Sequence, residues 1–399
     1  MKSTLLISKY NWDAPVEIPY LFYKAGYKVS IYCPANSWLT HSSFYHEHFN
    51  ASNTDDLFIS GLASLIERNQ FDWIQLVEDP LIDFIKRKVS DTSLLLQLLP
   101  IKNPKAFDIL SSKIGFSSYF FQQKIATPQF RKFINGFDSI DQLSDLQFPV
   151  LNKYDLSWGG TDISISNSLE ELSVKLKSIP QQATLLIQEF IDGEEIRIDA
   201  LFYKGQLLNL FCAKVLAYTK DRFSYTTRRA YYDYSAINEI LSHIGELIGA
   251  NGFANISFIR DNKTGIHHLI EIDMRPNSWM AYSQYLSKYD FVYCLRHLDN
   301  PLKLDIPKGK LKRLGTIELA LFYKDIRRAV WAKDFKGIGR WFLGYSGYWK
   351  FLPFYDLRLT KKIFSEIWNE IGVFKLKQLR KKSNFSSRCI AFLIFLGNC

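Results

Sequence analysis

The sequence predicts an α/β plus α+β chain: a parallel α/β unit, a larger α+β unit, and a basic segment behind them. Strand-like and helix-like runs alternate over the first hundred residues, and hairpin-like pairs of strands follow from Phe148 onward. Residues 301–399 hold 21 Lys and Arg against 7 Asp and Glu, whereas residues 1–300 hold 29 against 33. With 399 residues, 47% of them hydrophobic, the chain can fill about two or three domains.

Residues 1–100 are predicted to form a small Rossmann-type unit. The run "STLLIS" from Ser3 is a short buried strand, "VEIPYLFYKAGYKV" a helix that reaches Gly26, and "VSIYCP" the next strand. A second helix, "LFISGLASLIERN", precedes the strand "DWIQLVEDP". This alternation is typical of a parallel sheet with crossover helices. No G-x-G-x-x-G turn follows the first strand, so a dinucleotide site is not predicted.

The middle of the chain is predicted to be built from antiparallel strands. "EEIRIDALFYKGQLLNLFCAKV" is a hairpin that turns at Lys204 and Gly205, and "FANISFIRDNKTGIHHLIEIDMRPN" is a second hairpin-like pair. Ser168 followed three residues later by Glu171 is a capping box that begins a helix. The helix "AINEILSHIGELIGA" separates the two hairpins.

The stretch "KYDLSWGGTDISI" combines a lysine at the end of a strand with two adjacent glycines. Lys153 closes the apolar strand, and Gly159 and Gly160 lie in the loop behind it. Bare backbone can approach a bulky anion and offer it N–H groups, and the lysine adds a point charge. The pattern fits a loop over phosphates. A tight turn without a ligand is the alternative, because two glycines are a short motif.

A second pattern places carboxylates on one predicted strand. A period of two gives one face of "HLIEIDM" two carboxylates and, beyond them, an arginine. Two such carboxylates can hold a hard cation such as Mg²⁺, and the arginine can hold a phosphate that the metal also contacts. A solvated face with a surface ion pair is the alternative. The residues predicted on this face are His267, Leu269, Glu271, Asp273 and Arg275.

The strand before it supplies two further oxygen-bearing side chains. Asn255 and Ser257 share one parity, so an even-sum antiparallel register places them beside Glu271 and Asp273. A hydroxyl is a poorer ligand for Mg²⁺ than a carboxylate or an amide oxygen. A metal site at Ser257 would therefore need Asn255 or water in place of the hydroxyl, and the number of metal ions is left open.

Acidic residues also surround a predicted turn in "IQEFIDGEEIRID". Glu189 comes shortly before Gly193, and Glu195, Arg197 and Asp199 then alternate with isoleucines. Carboxylates accept hydrogen bonds from the amino group of adenine and the hydroxyls of ribose. Taken alone, the segment is an ordinary amphipathic strand.

The order of these pieces resembles the ATP-grasp superfamily. A lysine-bearing helix, a strand lysine with a glycine loop, E-x-x-x-G-x-E and E-x-D-x-R follow one another between roughly residues 100 and 280. The resemblance implies a Rossmann-like domain at 1–100 and an ATP-grasp domain of two α+β subdomains at 101–300. The lid subdomain is expected at about 125–190, and a basic aromatic extension at 301–399.

The resemblance also implies which residues bind ATP. Two lysines contact the nucleotide, a four-residue loop covers the phosphates, a three-residue hinge holds adenine, a carboxylate holds ribose, and a further lysine contacts phosphate. These residues are Lys113, Lys153, Ser157, Trp158, Gly159, Gly160, Glu189, Phe190, Ile191, Glu195 and Lys214.

Metal binding and catalysis are implied in the same way. Glu271 and Asp273 match the magnesium ligands, and Arg275 matches the arginine that steadies the transferred phosphoryl group, with Lys153 as a second catalytic residue. Asp273 stands where the family usually has asparagine. Ser257 stands near a position that often supplies an acidic or amide metal ligand. ATP and Mg²⁺ are the implied cofactors.

The family chemistry implies a ligase. A carboxylate attacks the γ-phosphate to give an acylphosphate and ADP, and an amine or another nucleophile then displaces phosphate. A kinase that stops at the phosphorylated product and a non-catalytic nucleotide-binding protein are the alternatives. The substrates are expected to be small carboxylates and amines, in a pocket lined by Glu78, Asp79, Asn277 and Ser278.

Location and partners follow from composition. No apolar leader follows Met1, and "CIAFLIFLGNC" is too short to span a bilayer, so a soluble cytoplasmic protein is expected. Five scattered cysteines without a C-x-x-C pair are expected to be packing residues in a reducing compartment. The basic extension is predicted to meet an anionic surface, either lipid headgroups or a phosphorylated carrier. No nucleic acid partner is expected.

Overall fold

The fold is described by a computed structural model that covers residues 1–157, 163–298, 309–343 and 352–371. Among these residues the strands form a parallel sheet of four strands, an antiparallel sheet of four and a larger sheet of six. The parallel sheet comes first in the chain and the two antiparallel sheets follow. The predicted fold class is therefore confirmed.

The N-terminal unit is a parallel sheet with helices on both faces. In spatial order its strands are Glu47–Asn50, Lys28–Cys33, Ser3–Ile7 and Trp73–Leu76. In the first strand of the chain, Leu6 packs against the first helix, whereas Leu5 and Ile7 pack against the second and third helices on the other face. Because both faces are covered, the strand is a continuous apolar run. The elements are β1 (Ser3–Ile7), α1 (Ile18–Lys24), β2 (Lys28–Cys33), β3 (Glu47–Asn50), α2 (Asp55–Arg68), β4 (Trp73–Leu76), α3 (Asp79–Lys88) and α4 (Thr92–Leu98).

A smaller antiparallel sheet, here called the lid sheet, follows. In spatial order its strands are Phe130–Ile134, Thr184–Glu189, Val150–Tyr154 and Ser164–Ser166. The hydroxyl of Ser168 accepts the backbone N–H of Glu171 at 3.2 Å, which is the predicted helix cap, while the Glu171 carboxylate accepts the N–H of Asn167. The elements are α5 (Lys113–Gln122), β5 (Phe130–Ile134), β6 (Val150–Tyr154), β7 (Ser164–Ser166), α6 (Leu169–Leu176) and β8 (Thr184–Glu189).

The larger antiparallel sheet contains both predicted hairpins. Lys204 and Gly205 form a two-residue turn with φ of +50° and +85°, the left-handed pair that suits the twist of a tight hairpin. One face of the sheet packs on a helix that ends at Gly249, whose φ of +61° is also left-handed. The elements are β9 (Gly193–Tyr203), β10 (Gln206–Tyr218), β11 (Thr226–Tyr232), α7 (Asn238–Ile248), β12 (Gly252–Asp261), β13 (His267–Asp273), α8 (Ser283–Leu286) and α9 (Phe291–Arg296).

The described part of the C-terminal segment continues this sheet. A further strand pairs with β11 and completes the order β13-β12-β9-β10-β11-β14. The boundary predicted at residue 300 therefore falls between strands of one sheet. The elements are α10 (Gly309–Leu314), β14 (Thr316–Ala320), α11 (Phe322–Trp331), α12 (Phe335–Leu343) and α13 (Leu357–Ile371).

Two buried carboxylates tie these C-terminal elements to the rest of the protein. Asp325 on α11 accepts hydrogen bonds from Arg228 at 2.6 Å and from Thr227 at 2.8 Å, both on β11. Asp356, just before α13, accepts the N–H of Ser43 in the N-terminal unit at 2.7 Å. Within the described ranges, no helix is long and apolar enough to cross a membrane.

Replacing Asp325 by alanine is expected to destabilise the protein by about 3–5 kcal/mol, because it removes the carboxylate that Arg228 and Thr227 contact in the interior. The measurement is the free energy of unfolding in urea. Asp145→Ala is the control, since Asp145 and Arg131 form an ion pair with side chains 55% and 41% exposed. That change should cost less than about 1 kcal/mol. Equal losses in the two variants would contradict the structural role of Asp325.

Candidate active site

A cavity of about 720 Å³ lies between the lid sheet and the larger sheet. The N-terminal unit and the C-terminal helices also contribute to its wall. Most of the residues predicted for the site line this cavity. They are Lys113, Lys153, Ser157, Glu189, Phe190, Ile191, Glu195, Glu271, Asp273 and Arg275.

Four predicted residues are not among them. Trp158, Gly159 and Gly160 lie outside the described residues. Lys214 is described, but it contacts Glu194 on the face of the sheet that packs on α7.

The position of Lys214 follows from the period of two along β9. Glu195 points into the cavity, so Glu194 and Ile196 point to the opposite face. Lys214 lies opposite Ile196 in the pairing of β10 with β9 and shares that face. The prediction that Lys214 contacts phosphate is corrected accordingly.

The register of three neighbouring strands builds the acidic side of the cavity. Asn255 and Ser257 of β12 each lie directly between one residue of β9 and one of β13. This is the even-sum register, for which the sequence predicted that Asn255 and Ser257 lie beside the carboxylates. Two polar rows therefore cross the sheet side by side. The rows are Asp199–Asn255–Asp273 and Arg197–Ser257–Glu271.

A β-bulge changes which residues of β13 face the cavity. Ile270 is an extra residue between two paired positions, so the alternation of side chains reverses there. Leu269 packs in the hydrophobic cluster around α7, whereas Glu271 and Asp273 line the cavity. His267 contacts Tyr234 beside that cluster, at 2.7 Å. The prediction that His267 and Leu269 share the face of Glu271 is wrong because of this bulge.

The acidic side fits a divalent cation. Burial, reinforced by the Glu271 and Asp79 carboxylates, raises the pKa of Asp273 well above its usual value, and a cation would offset this crowding of negative charge. The Oδ1 atom of Asn255, next to Asp273 in the register, is buried and has no hydrogen-bond partner among the described residues. Carboxylate and amide oxygens are the ligands that Mg²⁺ prefers.

These protein ligands would not complete a metal site by themselves. In the part of the chain that the structure describes, no cluster of three or more His, Cys, Asp or Glu residues could hold a metal ion. Mg²⁺ commonly keeps several waters and binds one or two carboxylates together with phosphate oxygens. The donor set therefore suits a cation that arrives with a phosphate ligand.

Arg275 joins the end of β13 to the N-terminal unit. Its guanidinium donates to the carboxylate of Asp79 and, at 3.1 Å, to that of Asp273. It also lies 5.5 Å from the centre of the Trp12 ring. Because the guanidinium is planar and carries five donors, it can hold two carboxylates and still meet an anion.

The predicted substrate-pocket residues divide into two groups. Asp79, Asn277 and Ser278 line the cavity. Glu78 does not: its carboxylate is fully buried and accepts three backbone N–H groups from residues 9–12, among them that of Trp12 at 3.0 Å. Glu78 therefore shapes the loop that carries Trp12 into the cavity wall.

One buried lysine and one half-buried lysine form the opposite, basic side. Lys153 donates to Gln188 at 2.8 Å, and burial lowers its pKa to about 8. Lys113 donates to the hydroxyl of Ser157 at 3.1 Å, and burial lowers its pKa as well. The nearby Glu271 carboxylate opposes the shift in both lysines. A bound anion would relieve the cost of burying these charges.

The strand connection between the two sheets is close to the predicted hinge. Glu189 ends β8, and its carboxylate accepts the N–H of Gln147 at 2.7 Å. Gly193 begins β9, where a Cβ atom would lie 2.2 Å from the carbonyl oxygen of Arg260, so only glycine fits. Glu195 then accepts the hydroxyl of Tyr218 at 2.7 Å.

Sequence reasoning missed two arginines of the site. Arg197 lies between Glu195 at 2.6 Å and Glu271 at 3.3 Å. Arg229 on β11 contacts Asp199 at 3.1 Å. The alternation of Glu195, Arg197 and Asp199 was a signal for the first arginine, but it is also the pattern of an ordinary amphipathic strand. No sequence pattern indicated that Arg229 belongs to the site, because it is distant in sequence from Asp199, the residue that it contacts.

Comparison with known proteins agrees with this geometry. Residues 112–278 match a family model described as an ATP-grasp domain. A carbamoyl-phosphate synthase of Methanobrevibacter smithii is 27% identical over 134 residues, which are 34% of this chain and 35% of that protein. The chain thus spans about a third of the length of this curated relative.

Solved structures match over a larger share of the chain. N5-carboxyaminoimidazole ribonucleotide synthetase from Thermus thermophilus has a TM-score of 0.58 at 14% identity, over 77% of this chain and 81% of that one. L-amino acid ligase from Bacillus licheniformis has a TM-score of 0.54 at 16% identity, over 76% and 75%.

At 14% and 16% sequence identity, the matches to these solved structures show the fold alone. A lid sheet and a larger antiparallel sheet that enclose a cavity, behind a parallel N-terminal unit, define the ATP-grasp class of folds. Residues 112–278 match the ATP-grasp domain model, so the resemblance seen in the sequence is confirmed.

Lys153→Met is expected to stabilise the protein at pH 7, because methionine fills similar space without a buried charge. The pKa of Lys153 is about 8 in the folded protein against 10.5 for an ordinary lysine. Between these values the folded protein has lost a proton that the unfolded chain still holds, so the wild-type protein gains stability as the pH rises. The advantage of the variant should therefore shrink by roughly 3 kcal/mol across this window.

The measurement is the free energy of unfolding of both proteins from about pH 7 to about pH 10. Lys132→Met is the control, since Lys132 is an exposed lysine of the lid sheet. If the free energies of unfolding of wild type and Lys153→Met differ by the same amount at all pH values, burial does not shift the pKa of Lys153.

Proposed function

We propose that this protein is an ATP-dependent ligase that joins a small carboxylate to an amine or another nucleophile through an acylphosphate. The observation that carries the proposal is the cavity itself, with Lys113 and Lys153 on one side and Glu271 and Asp273 on the other. Lysines in the wall of a cavity suit phosphate oxygens, and carboxylates there suit the metal that accompanies them. The names of the relatives, a synthase, a synthetase and a ligase, support the same class of reaction.

The nucleotide is proposed to lie along the lid sheet. Residues 189–191 meet adenine, Glu195 accepts the ribose hydroxyls, and Lys113 and Lys153 contact the phosphates. Residues 157–160 are proposed to cover the phosphates, because they match the phosphate-covering loop of the resemblance. Each assignment is a proposal that rests on the cavity lining and on the order of the motifs.

Glu271 and Asp273, with Asn255 beside them, would hold Mg²⁺, which would neutralise phosphate charge. A substrate carboxylate oxygen forms a bond to the γ-phosphorus while the bond to ADP breaks, and charge spreads over the transferring group. Arg275 and the lysines would stabilise that charge in place of water. The amine lone pair then attacks the acyl carbon, phosphate leaves, and the amine loses a proton.

The substrates are proposed to occupy the part of the cavity nearest the N-terminal unit. Asp79, Asn277 and Ser278 line that part together with Trp12. We place the reaction in the cytoplasm, where the buried cysteines Cys33, Cys212 and Cys294 would stay reduced.

Glu271→Gln is expected to lower turnover by at least about 100-fold, because it removes charge that would fix the metal but keeps the size of the side chain. Asp273→Asn restores the residue common in the family and should keep most of the activity, whereas Arg275→Lys loses the planar fork and should not. The assay is ADP release with pooled carboxylates and amines, with and without Mg²⁺.

Glu194→Gln is the matched control, because Glu194 lies on the opposite face of the sheet. Full activity in Glu271→Gln, or activity that is indifferent to a chelator, would remove Glu271 from the mechanism. A stable phosphorylated product without ligation would favour the kinase alternative. Nucleotide binding without ADP release would favour the non-catalytic one.

The basic C-terminal segment is proposed to dock on an anionic lipid surface. At the corner between α11 and α12, Trp331 and Phe335 are 61% and 71% exposed, and Lys333 and Lys336 are exposed beside them. The corner is well fixed, since Asp334 accepts the N–H at residue 337 and pairs with the guanidinium at residue 328. Exposed aromatic rings with flanking lysines are typical of a membrane-interface contact.

The full-length protein is expected to co-sediment with phosphatidylglycerol vesicles at low salt and to dissociate as salt rises. A Trp331→Ala, Phe335→Ala double variant should bind at least about tenfold more weakly. Phe137→Ala, which removes a ring that is 70% exposed on the lid, should bind normally. Equal binding to phosphatidylcholine vesicles, or no effect of the double variant, would contradict the lipid proposal.

A further inference from the structure

Arg197 is a fixed positive charge beside the proposed metal site. Its guanidinium lies 3.3 Å from Glu271 and 2.6 Å from Glu195, and the side chain is 17% exposed in the wall of the cavity. The contact of its Nε atom with Glu195 lacks the alignment of a hydrogen bond, so it is an ion pair. Arg197 therefore connects the carboxylate proposed for ribose with a carboxylate proposed for the metal.

The residue between Arg197 and Glu271 is neutral. Ser257 lies opposite both residues in the three-strand register, and its hydroxyl is buried without a hydrogen-bond partner among the described residues. A carboxylate at this position would stand next to Glu271 and give a second cation an additional charged ligand. A hydroxyl is a poor substitute, and the guanidinium would repel a divalent ion placed there.

We infer that Arg197 takes the place of a metal ion at the triphosphate, so that the site holds a single divalent cation, on the side of Asp273 and Asn255. The inference rests on the proposed binding of ATP. A guanidinium has five N–H donors, enough to contact both carboxylates and a phosphate oxygen. Unlike a metal ion, it cannot be removed by a chelator.

Two consequences distinguish this arrangement from a site with two metal ions. First, one divalent ion binds with the nucleotide. Second, part of the nucleotide affinity persists when all metal is chelated, because Arg197 and the two lysines remain. Both consequences concern binding and can be measured without any knowledge of the substrates.

The first experiment counts metal ions. The full-length protein is saturated with a non-hydrolysable ATP analogue and titrated with Mn²⁺, and free Mn²⁺ is followed by electron paramagnetic resonance. We expect a single tightly bound Mn²⁺ per chain in the wild type and in Ser257→Ala. We expect two in the double variant Arg197→Ser, Ser257→Glu, which exchanges the fixed cation for an additional carboxylate.

The second experiment measures affinity for the analogue in excess chelator. Arg197→Ser should weaken it by at least about tenfold, the value of one charge-assisted contact, whereas Arg197→Lys should weaken it less. Ser257→Ala is the matched control and should leave it unchanged. Thermal unfolding checks that each variant folds. If Arg197→Ser does not fold, the number of Mn²⁺ ions bound by the wild-type protein still tests the inference.

Two tightly bound Mn²⁺ ions in the wild type, or an unchanged metal-free affinity in folded Arg197→Ser, would overturn the role of Arg197 and leave the proposed ATP site intact. Failure of the wild type to bind the analogue under any condition would instead overturn the proposed function. The two failures are therefore distinguishable.

Discussion

The pairing of β9, β12 and β13 is the constraint on which the site depends. It aligns Asn255 with Asp199 and Asp273, and Ser257 with Arg197 and Glu271. Because side chains alternate between faces, a slip of one residue would move an entire polar row into the core beneath the sheet. The apolar residues between the polar ones prevent that slip, since they pack on α7 and are fully buried.

Charges of both signs line the cavity, and their neutralisation is incomplete. Arg275 pairs with Asp79, but burial still raises the pKa of Asp79 and of Asp273. On the lid side, burial lowers the pKa of Lys113 and Lys153. A ligand with an anionic part near the lysines and a cation near the carboxylates would relieve both costs at once. A metal-bound nucleotide has this distribution of charge.

The C-terminal segment is a structural part of the site. β14 extends the larger sheet, Asp325 connects α11 to β11 in the interior, and Lys324, Arg327 and Glu366 line the cavity. The N-terminal unit contributes the wall around Trp12, held by the buried Glu78. Parts of the chain that are far apart in sequence thus enclose the proposed substrate end.

The sequence by itself determined the class of fold, the two hairpins, the helix cap at Ser168 and the shared parity of Asn255 and Ser257. These features depend on local periodicity and turn chemistry, which a sequence displays directly. Only the tertiary structure decided which face of β13 the bulge exposes, that Lys214 lies on the α7 face, and that Arg197 meets Glu271. Each of these depends on irregular pairing or on contacts between distant strands, and periodicity within a single strand carries no information about either.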